Sequence, residues 1–296
     1  MTTDTVTEVF EEHRPVLMGV AYRMLGRVAD AEDVVQEAWL RWSGADHAEV
    51  REPRAYLVRI TTRLAIDRLR QIQSRNEAYV GPWLPEPYAT DFADTVPDAA
   101  ERAVLADSVS LAVLVVLESL SPLERAVFVL REAFGFPYAD IATTLDRSEP
   151  AVRQLAGRAR KHVDERRTRY EVDPALQREL TERFLAAATE GDLEGLLSLL
   201  APDVRLVGDS GGRAKAPLRA IESADKVGRF VIGVSRQGGG IQDASFRFVE
   251  LNGGPALLVL SAGKPDSVFQ LDVADGRIQC IYIVRNPEKL LSLADA

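Results

Sequence analysis

Arginines at helical spacing are the residues of this chain best suited to chemistry, and that chemistry is the holding of phosphates and base edges. In EPAVRQLAGRARK a helix would turn Glu149, Arg153, Gln154, Arg158 and Lys161 outward. Arg and Gln can each make two hydrogen bonds to a base edge in the major groove, while the later cations suit phosphates. In PRAYLVRITTRLAIDRLRQ, Arg59, Arg63 and Arg70 share one helical face, Arg68 adds to the same basic run, and Leu57, Ile60 and Leu64 form the opposite apolar face. A third run, ADAEDVVQEAWLRW, crowds Asp30, Glu32, Asp33, Gln36 and Glu37 onto a helix beside Val34, Val35 and Trp39. Each run also has a bland reading as a solvated charged face. A metal site is not expected in the acidic run, because neither a Gly-centred loop nor a histidine pair accompanies it.

The net charge of −9 over 296 residues argues at first against a nucleic-acid binder. The footprint of DNA binding is local, however. Residues 51–75 carry seven arginines against Glu52 and Asp67, a local charge of +5, and residues 147–169 carry eight cations against three acids, again +5. Two basic islands therefore sit in an acidic chain.

These runs must be positioned by folded elements. With 46% hydrophobic and 27% charged residues the chain can bury real cores, and its length suits two or three domains. Residues 7–74 read as a helical domain, with apolar positions at helical spacing. Residues 75–104 form a linker broken by Pro82, Pro85 and Pro87, although Trp83, Leu84 and Tyr88 are apolar enough to favour docking on a neighbouring domain over a bland tether. Residues 105–169 form a second helical domain. In it Ser121-Pro122 with Glu124 marks a helix start. A helix-turn-helix follows: Ala142 sits at the close crossing, Ile141 and Leu145 supply its core side, and Asp146-Arg147-Ser148 makes the turn. Ser148 caps the second helix, whose Val152 and Leu155 point inward. Residues 173–296 change to an α+β pattern. Two helices, LQRELTERFLAAATEG and DLEGLLSLLA, precede five strand-like runs, with turn signals at Asn252-Gly253 and Asp275-Gly276. Alternation in Ile278, Cys280, Tyr282 and Val284 predicts a sheet with two differently lined faces.

The order ADAEDVVQEAW, PRAYLVRITTRLAIDRLR, LSPLERAVFVLRE and then the helix-turn-helix resembles the extracytoplasmic-function RNA polymerase sigma factors over about the first 165 residues. The resemblance implies core RNA polymerase (its beta-prime clamp and beta flap) and promoter DNA as partners. Asp30, Glu32, Asp33, Val34, Val35, Gln36 and Glu37 would dock on the polymerase. The helix bearing Arg59, Arg63, Arg68 and Arg70, with residues 43–52 before it, would meet the minus-ten element. Ser148, Glu149, Arg153, Gln154, Arg158 and Lys161 would serve the minus-thirty-five element. Arg63 stands where the family often has Asn, which departs from the usual minus-ten pattern. The carboxy-terminal part resembles the SnoaL-like domain, a cone-shaped α+β fold with helices over a curved antiparallel sheet. Some members of this group carry such a domain and use it to regulate the sigma factor within one chain. Its marks are WLPEP with Trp83, Leu84 and Pro85, a Gly-rich turn with Asp209, Gly211, Gly212 and Arg213, and NPEKL with Asn286, Pro287, Lys289 and Leu290.

No catalytic residue, cofactor or metal is expected. All three histidines, His13, His47 and His162, lie outside the α+β part, and nothing near the lone Cys280 would activate it. Asp209-Ser210-Gly211-Gly212-Arg213 lacks the strand–loop–helix lysine context of a phosphate cradle, so a turn or interdomain contact is the favoured reading. Absence of a long apolar run, acids at the start and a single cysteine predict a cytoplasmic protein with no membrane partner. The competing function is a one-component helix-turn-helix regulator whose last domain senses or converts a small molecule.

Overall fold

Trp42 organises the first three helices. It lies near the end of α2 (Val28–Ser43), is fully buried, and donates Nε1–H to the carbonyl of Val6 in α1 (Thr3–Leu25) at 2.9 Å. An edge contact with the ring of His47 at 4.4 Å and a tilted one with Tyr56 at 5.8 Å draw in α3 (Pro53–Arg75). Leu17, Val20 and Ala21 of α1, Val34, Val35 and Ala38 of α2, and Leu57, Leu64 and Ala65 of α3 recur at helical spacing and are buried.

The computed structural model describes residues 3–48, 50–75, 79–89, 110–166, 174–236 and 243–293. They divide into two units, 3–75 with 110–166 and 79–89 with 174–293. The two helical modules thus share one unit, while the proline-rich segment belongs to the other. Of the linker expected over 75–104, residues 79–89 are part of a folded body, while 76–78 and 90–104 lie outside the described residues.

Among the described residues of the first unit there follow α4 (Leu111–Leu117), α5 (Pro122–Phe128), α6 (Tyr138–Leu145) and α7 (Glu149–Arg166). Helix α5 starts at the expected place, with Ser121 and Glu124 forming a reciprocal capping box, and runs into a π-helical turn over Val129–Ala133. Between α6 and α7, Asp146 takes the left-handed conformation (φ 53°, ψ 55°), as the turn reading predicts. A buried arginine joins the modules. Arg125 of α5 donates through Nη1 to the carbonyl of Met24 in α1 and to Glu118, both at 2.8 Å.

The second unit is a six-stranded sheet in the order β2-β1-β6-β5-β4-β3, with α8 (Pro174–Glu190), α9 (Leu193–Leu199) and α10 (Ala224–Arg236). The strands are β1 (Leu200–Asp209), β2 (Ile221–Glu222), β3 (Ala244–Leu251), β4 (Gly254–Ser261), β5 (Lys264–Ala274) and β6 (Arg277–Val284). Neighbours are antiparallel except β1 and β6, which run parallel. The two anticipated turns are two-residue hairpins with positive φ at Asn252-Gly253 and Asp275-Gly276, the conformation that matches strand twist. Helix α10 and the short β2 are elements that periodicity had not revealed. The core lies between the helices and one sheet face: Leu180 and Phe184 of α8, Leu196 of α9 and Val227 and Val231 of α10 meet Leu206, Leu271, Ile281 and Ile283. One detail departs from strict alternation. The register shifts between Asp272 and Val273, so Ile278 joins Ile281 and Ile283 in the helix-side core, apart from Cys280 and Tyr282. This is the helix-covered sheet that the SnoaL-like resemblance implies.

Candidate functional site

The acidic helix α2 sorts its predicted residues into two sets. Glu32, Asp33, Gln36 and Glu37 are exposed and share a face with Leu40, which is 63% exposed. Val34 and Val35 are buried in the three-helix core and so are not surface contacts, a correction to their expected role. Asp30 is corrected too: it is 6% exposed and paired with Arg68 at 2.5 Å, with Arg27 3.6 Å away. Arg68, expected on the DNA face, is held there instead, and the Asp30 hydrogen bond raises its pKa. Leu40 was missed because an isolated leucine beside charges carries no periodic signal.

On α3, Arg59 lies over the ring of Tyr56 at 5.3 Å, and Arg70 is exposed and paired with Asp67 at 3.2 Å. Arg63 does something its sequence position did not suggest. Its Nε donates to the carbonyl of Thr144 at 2.7 Å and its Nη2 to that of Thr143 at 3.4 Å. These are last-turn carbonyls of α6, which a guanidinium both hydrogen-bonds and complements electrostatically. In this arrangement Arg63 faces protein. Beside it a cleft of about 240 Å³ opens between the start of α3 and α6, lined by Arg51, Tyr56, Arg59, Phe136, Asp140 and Thr143 among others.

The helix-turn-helix presents α7 as expected. Val152, Ala156, Ala159 and Val163 are buried, whereas Arg153, Gln154, Arg158 and Lys161 are exposed. Ser148 is exposed, and its carbonyl accepts from the N–H of Val152 at 3.1 Å, opening the helix. The cations have protein partners: Glu149 binds Arg153 at 2.5 Å, Glu124 binds Arg158 at 2.9 Å, and Glu165 lies 3.9 Å from Lys161. The Ser121 hydroxyl first, and Arg158 after it, hold the Glu124 carboxyl below the usual carboxylate range against the opposing effect of burial. Sequence reading missed Tyr138 and Arg160, which cluster with Arg153; the seven-residue step from Arg153 to Arg160 was the available signal.

The residues that carry the SnoaL-like resemblance come together in the second unit. Asp209, fully buried, accepts from the backbone N–H of Leu84 at 2.8 Å, from Lys289 Nζ at 2.7 Å, from the Tyr79 hydroxyl and from the N–H of Gly211 at 3.1 Å. Lys289, 2% exposed, also donates to the carbonyl of Leu84 and lies 3.9 Å from the centre of the Trp83 ring. Both backbone groups of Leu84 are therefore held, and Leu84, Pro85, Glu86 and Pro87 are buried. Asn286 donates to the Tyr79 oxygen at 2.9 Å. Gly211 (φ +57°) leaves no room for a side chain, since a Cβ there would meet Asn286 Nδ2 at 2.7 Å and the Tyr79 oxygen at 3.1 Å. Gly212 abuts Val80 in the same way. Leu290 is buried, Pro287 is exposed, and Arg213 pairs with Glu288 at 2.9 Å. The Gly-rich turn is thus a receptor for the proline-rich segment. Cys280 is buried and its thiol is pushed up to about 11, first by that burial. Among the described residues there is no group of His, Cys, Asp and Glu that could hold a metal, and no helix long and apolar enough to cross a membrane.

Comparison with known proteins agrees with this layout. Residues 9–75 match the family model for sigma-70 region 2, and residues 110–163 that for sigma-70 region 4. ECF RNA polymerase sigma factor SigJ of Mycobacterium tuberculosis (strain ATCC 25618 / H37Rv) is 42% identical over 95% of this chain and 91% of its own length. "Probable ECF RNA polymerase sigma factor SigI" of the same species (strain CDC 1551 / Oshkosh) is 34% identical over 97% of this chain and 95% of its own. The crystal structure of the M. tuberculosis extracytoplasmic function sigma factor SigJ superposes with a TM-score of 0.76 at 38% identity, covering 97% of this chain and 98% of that one. Alignment along the whole length, carboxy-terminal domain included, leaves one assignment: the chain belongs to the extracytoplasmic-function RNA polymerase sigma factors.

Proposed function

We propose that this chain is a promoter-specificity subunit that works with core RNA polymerase in the cytoplasm and whose last domain sets its activity from within. Residues 7–74 act as the polymerase and minus-ten module, 75–104 as the linker, 105–169 as the minus-thirty-five module and 173–296 as the regulatory domain. The polymerase clamp meets the exposed face of α2, namely Glu32, Asp33, Gln36, Glu37 and Leu40. An exposed apolar side chain with polar ones around it matches the apolar centre and polar rim of protein interfaces. Helix α7 enters the major groove, with Arg153 and Gln154 reading base edges and Arg158 and Lys161 on phosphates. Arg59, Arg63 and Arg70 serve the minus-ten region once Arg63 leaves α6.

The observation that carries this reading is the exposed polar stripe of α7 behind a left-handed Asp146 turn, in a chain aligned end to end with sigma factors. The last domain is read as regulatory and not catalytic. Its buried Asp209 is committed to the linker, and Cys280 is a buried thiol with a raised pKa. Docking of residues 79–89 on that domain ties the segment between the two DNA readers to it, so the domain biases how far they can part.

Reconstitution with core polymerase on a library of fragments from the same genome, with mapping of transcript starts, tests the assignment. Promoter-specific initiation is expected, and Arg153→Ala should weaken it while leaving core association intact. Initiation unchanged by Arg153→Ala would overturn the role of α7. Equal activity of full-length chain and a chain ending before Asp173 would remove the regulatory role of the last domain.

A further inference from the structure

Tyr138 opens α6, half-buried, and has no part in the reading above. Two guanidiniums lie over its ring, Arg153 at 4.5 Å and Arg131 at 4.7 Å, and its hydroxyl oxygen accepts from Arg160 Nη2 at 2.6 Å. Arg131 is itself anchored through Nη1 to the carbonyl of Phe136 at 3.0 Å, and Arg160 is paired with Glu132 at 3.1 Å. The side chain of Arg153 is 59% exposed, so no core packing holds it. An arginine on a helix surface normally samples many rotamers, and ordering it for a two-hydrogen-bond contact costs entropy. The aromatic face removes much of that freedom in advance. Arg153 and Arg160 stand seven residues apart on one face, about 10 Å along the axis, so one tyrosine contacts two cations of the same exposed stripe.

We propose that Tyr138 is a positioning residue for minus-thirty-five recognition, which sets the plane of Arg153 through its ring and the reach of Arg160 through its hydroxyl. The proposal rests on the reading of α7 as the DNA reader. The ring sets base discrimination, because a guanidinium held in one plane rewards one base edge over others. The hydroxyl sets the general phosphate grip, because Arg160 lies farther along the helix. Glu149 completes the arrangement by holding Arg153 until a base edge replaces it.

The test uses full-length chain with core polymerase on a promoter recovered by that holoenzyme, and on the same promoter with single substitutions in its minus-thirty-five element. Tyr138→Leu should lower the preference for the cognate element about two- to fivefold, the range expected from losing one exposed cation–π contact. Tyr138→Phe keeps the ring and should retain that preference, while weakening binding to all the elements alike. In an Arg153→Ala background Tyr138→Leu should add no further loss of preference, the non-additivity expected of a residue that acts through another. Should the leucine variant be unstable in thermal unfolding, Tyr138→Gln repeats the test without an aromatic face. A wild-type preference left intact by both Tyr138→Leu and Tyr138→Gln overturns the proposal, as does an equal loss with or without Arg153. A wild-type holoenzyme with no preference at this element overturns the reading of α7 itself, a result distinct from either.

Discussion

Arg63 of α3 donates to the carbonyl of Thr144 across 81 positions of sequence, closing the end of α6 with a side chain from the other helical module. The same arginine stands on the face assigned to the minus-ten element, so the protein contact and a DNA contact exclude each other. Arg63→Ala should lower the stability of this unit by about 1 kcal/mol, the usual net worth of such hydrogen bonds once water replaces the donor. Urea unfolding of the full-length chain measures it. A midpoint equal to wild type would show that the contact holds nothing together.

The Asp209–Lys289 pair is a sharper case, since both side chains are almost wholly removed from water. Lys289→Met leaves Asp209 buried and should destabilise the second unit by about 3 kcal/mol. Adding Asp209→Asn should cost less than the sum of the single changes, because the stranded charge is then gone. Denaturant midpoints for the four chains provide the cycle, and strictly additive losses would contradict the pairing.

Arg125 separates charge from volume. It is fully buried, and its Nε and Nη2 find no acceptor among the described residues. Arg125→Met keeps most of the volume and leaves behind Glu118, whose side chain is 27% exposed and stays hydrated, unlike Asp209, so it should cost about 1 kcal/mol. Arg125→Ala leaves a cavity and should cost about 2–4 kcal/mol. Calorimetric unfolding of both variants checks the order, and equal losses in the two would make the guanidinium, not the filled volume, the stabilising element.

Glu124 gives a pH signature. Its pKa is lowered in the folded chain by the Ser121 hydroxyl and then Arg158, so its contribution to stability is present above the unfolded carboxylate pKa, about 4.3. That contribution is lost as pH falls through the lower folded value. Wild type should therefore lose stability more steeply than Glu124→Gln on acidification below about pH 4.5. Thermal melts across that window report it, and parallel curves would refute it.

Leu40 tests the polymerase surface. Exposed as it is, Leu40→Asp should leave the melting temperature within a degree or two while reducing core polymerase association about tenfold, as expected for removing an apolar anchor. Co-purification with core polymerase is the measurement, and undiminished association would move the docking face elsewhere.

Much of this protein was legible in its sequence because much of it is local. Helical spacing of Leu57 and Leu64, the Ser121–Glu124 capping box, the left-handed turn at Asp146 and the Asn252-Gly253 hairpin each depend on residues a few positions apart, where backbone sterics and one or two hydrogen bonds decide the outcome. The exposed stripe of α7 follows from the same periodicity. Which charges on a helix stay in water is a different matter. Asp30 and Asp33 are three residues apart in one acidic run, yet Asp30 is buried against Arg68 and Asp33 is exposed, because α3 covers one side of α2 only. Likewise Arg63 meets Thr144, Tyr79 meets Asp209 across 130 positions, and Lys289 meets Leu84 across 205. No period in the chain encodes such pairs. They exist because buried carbonyls, carboxylates and ammonium groups must find partners once packing has excluded water, and only the tertiary structure decides which partners are within reach.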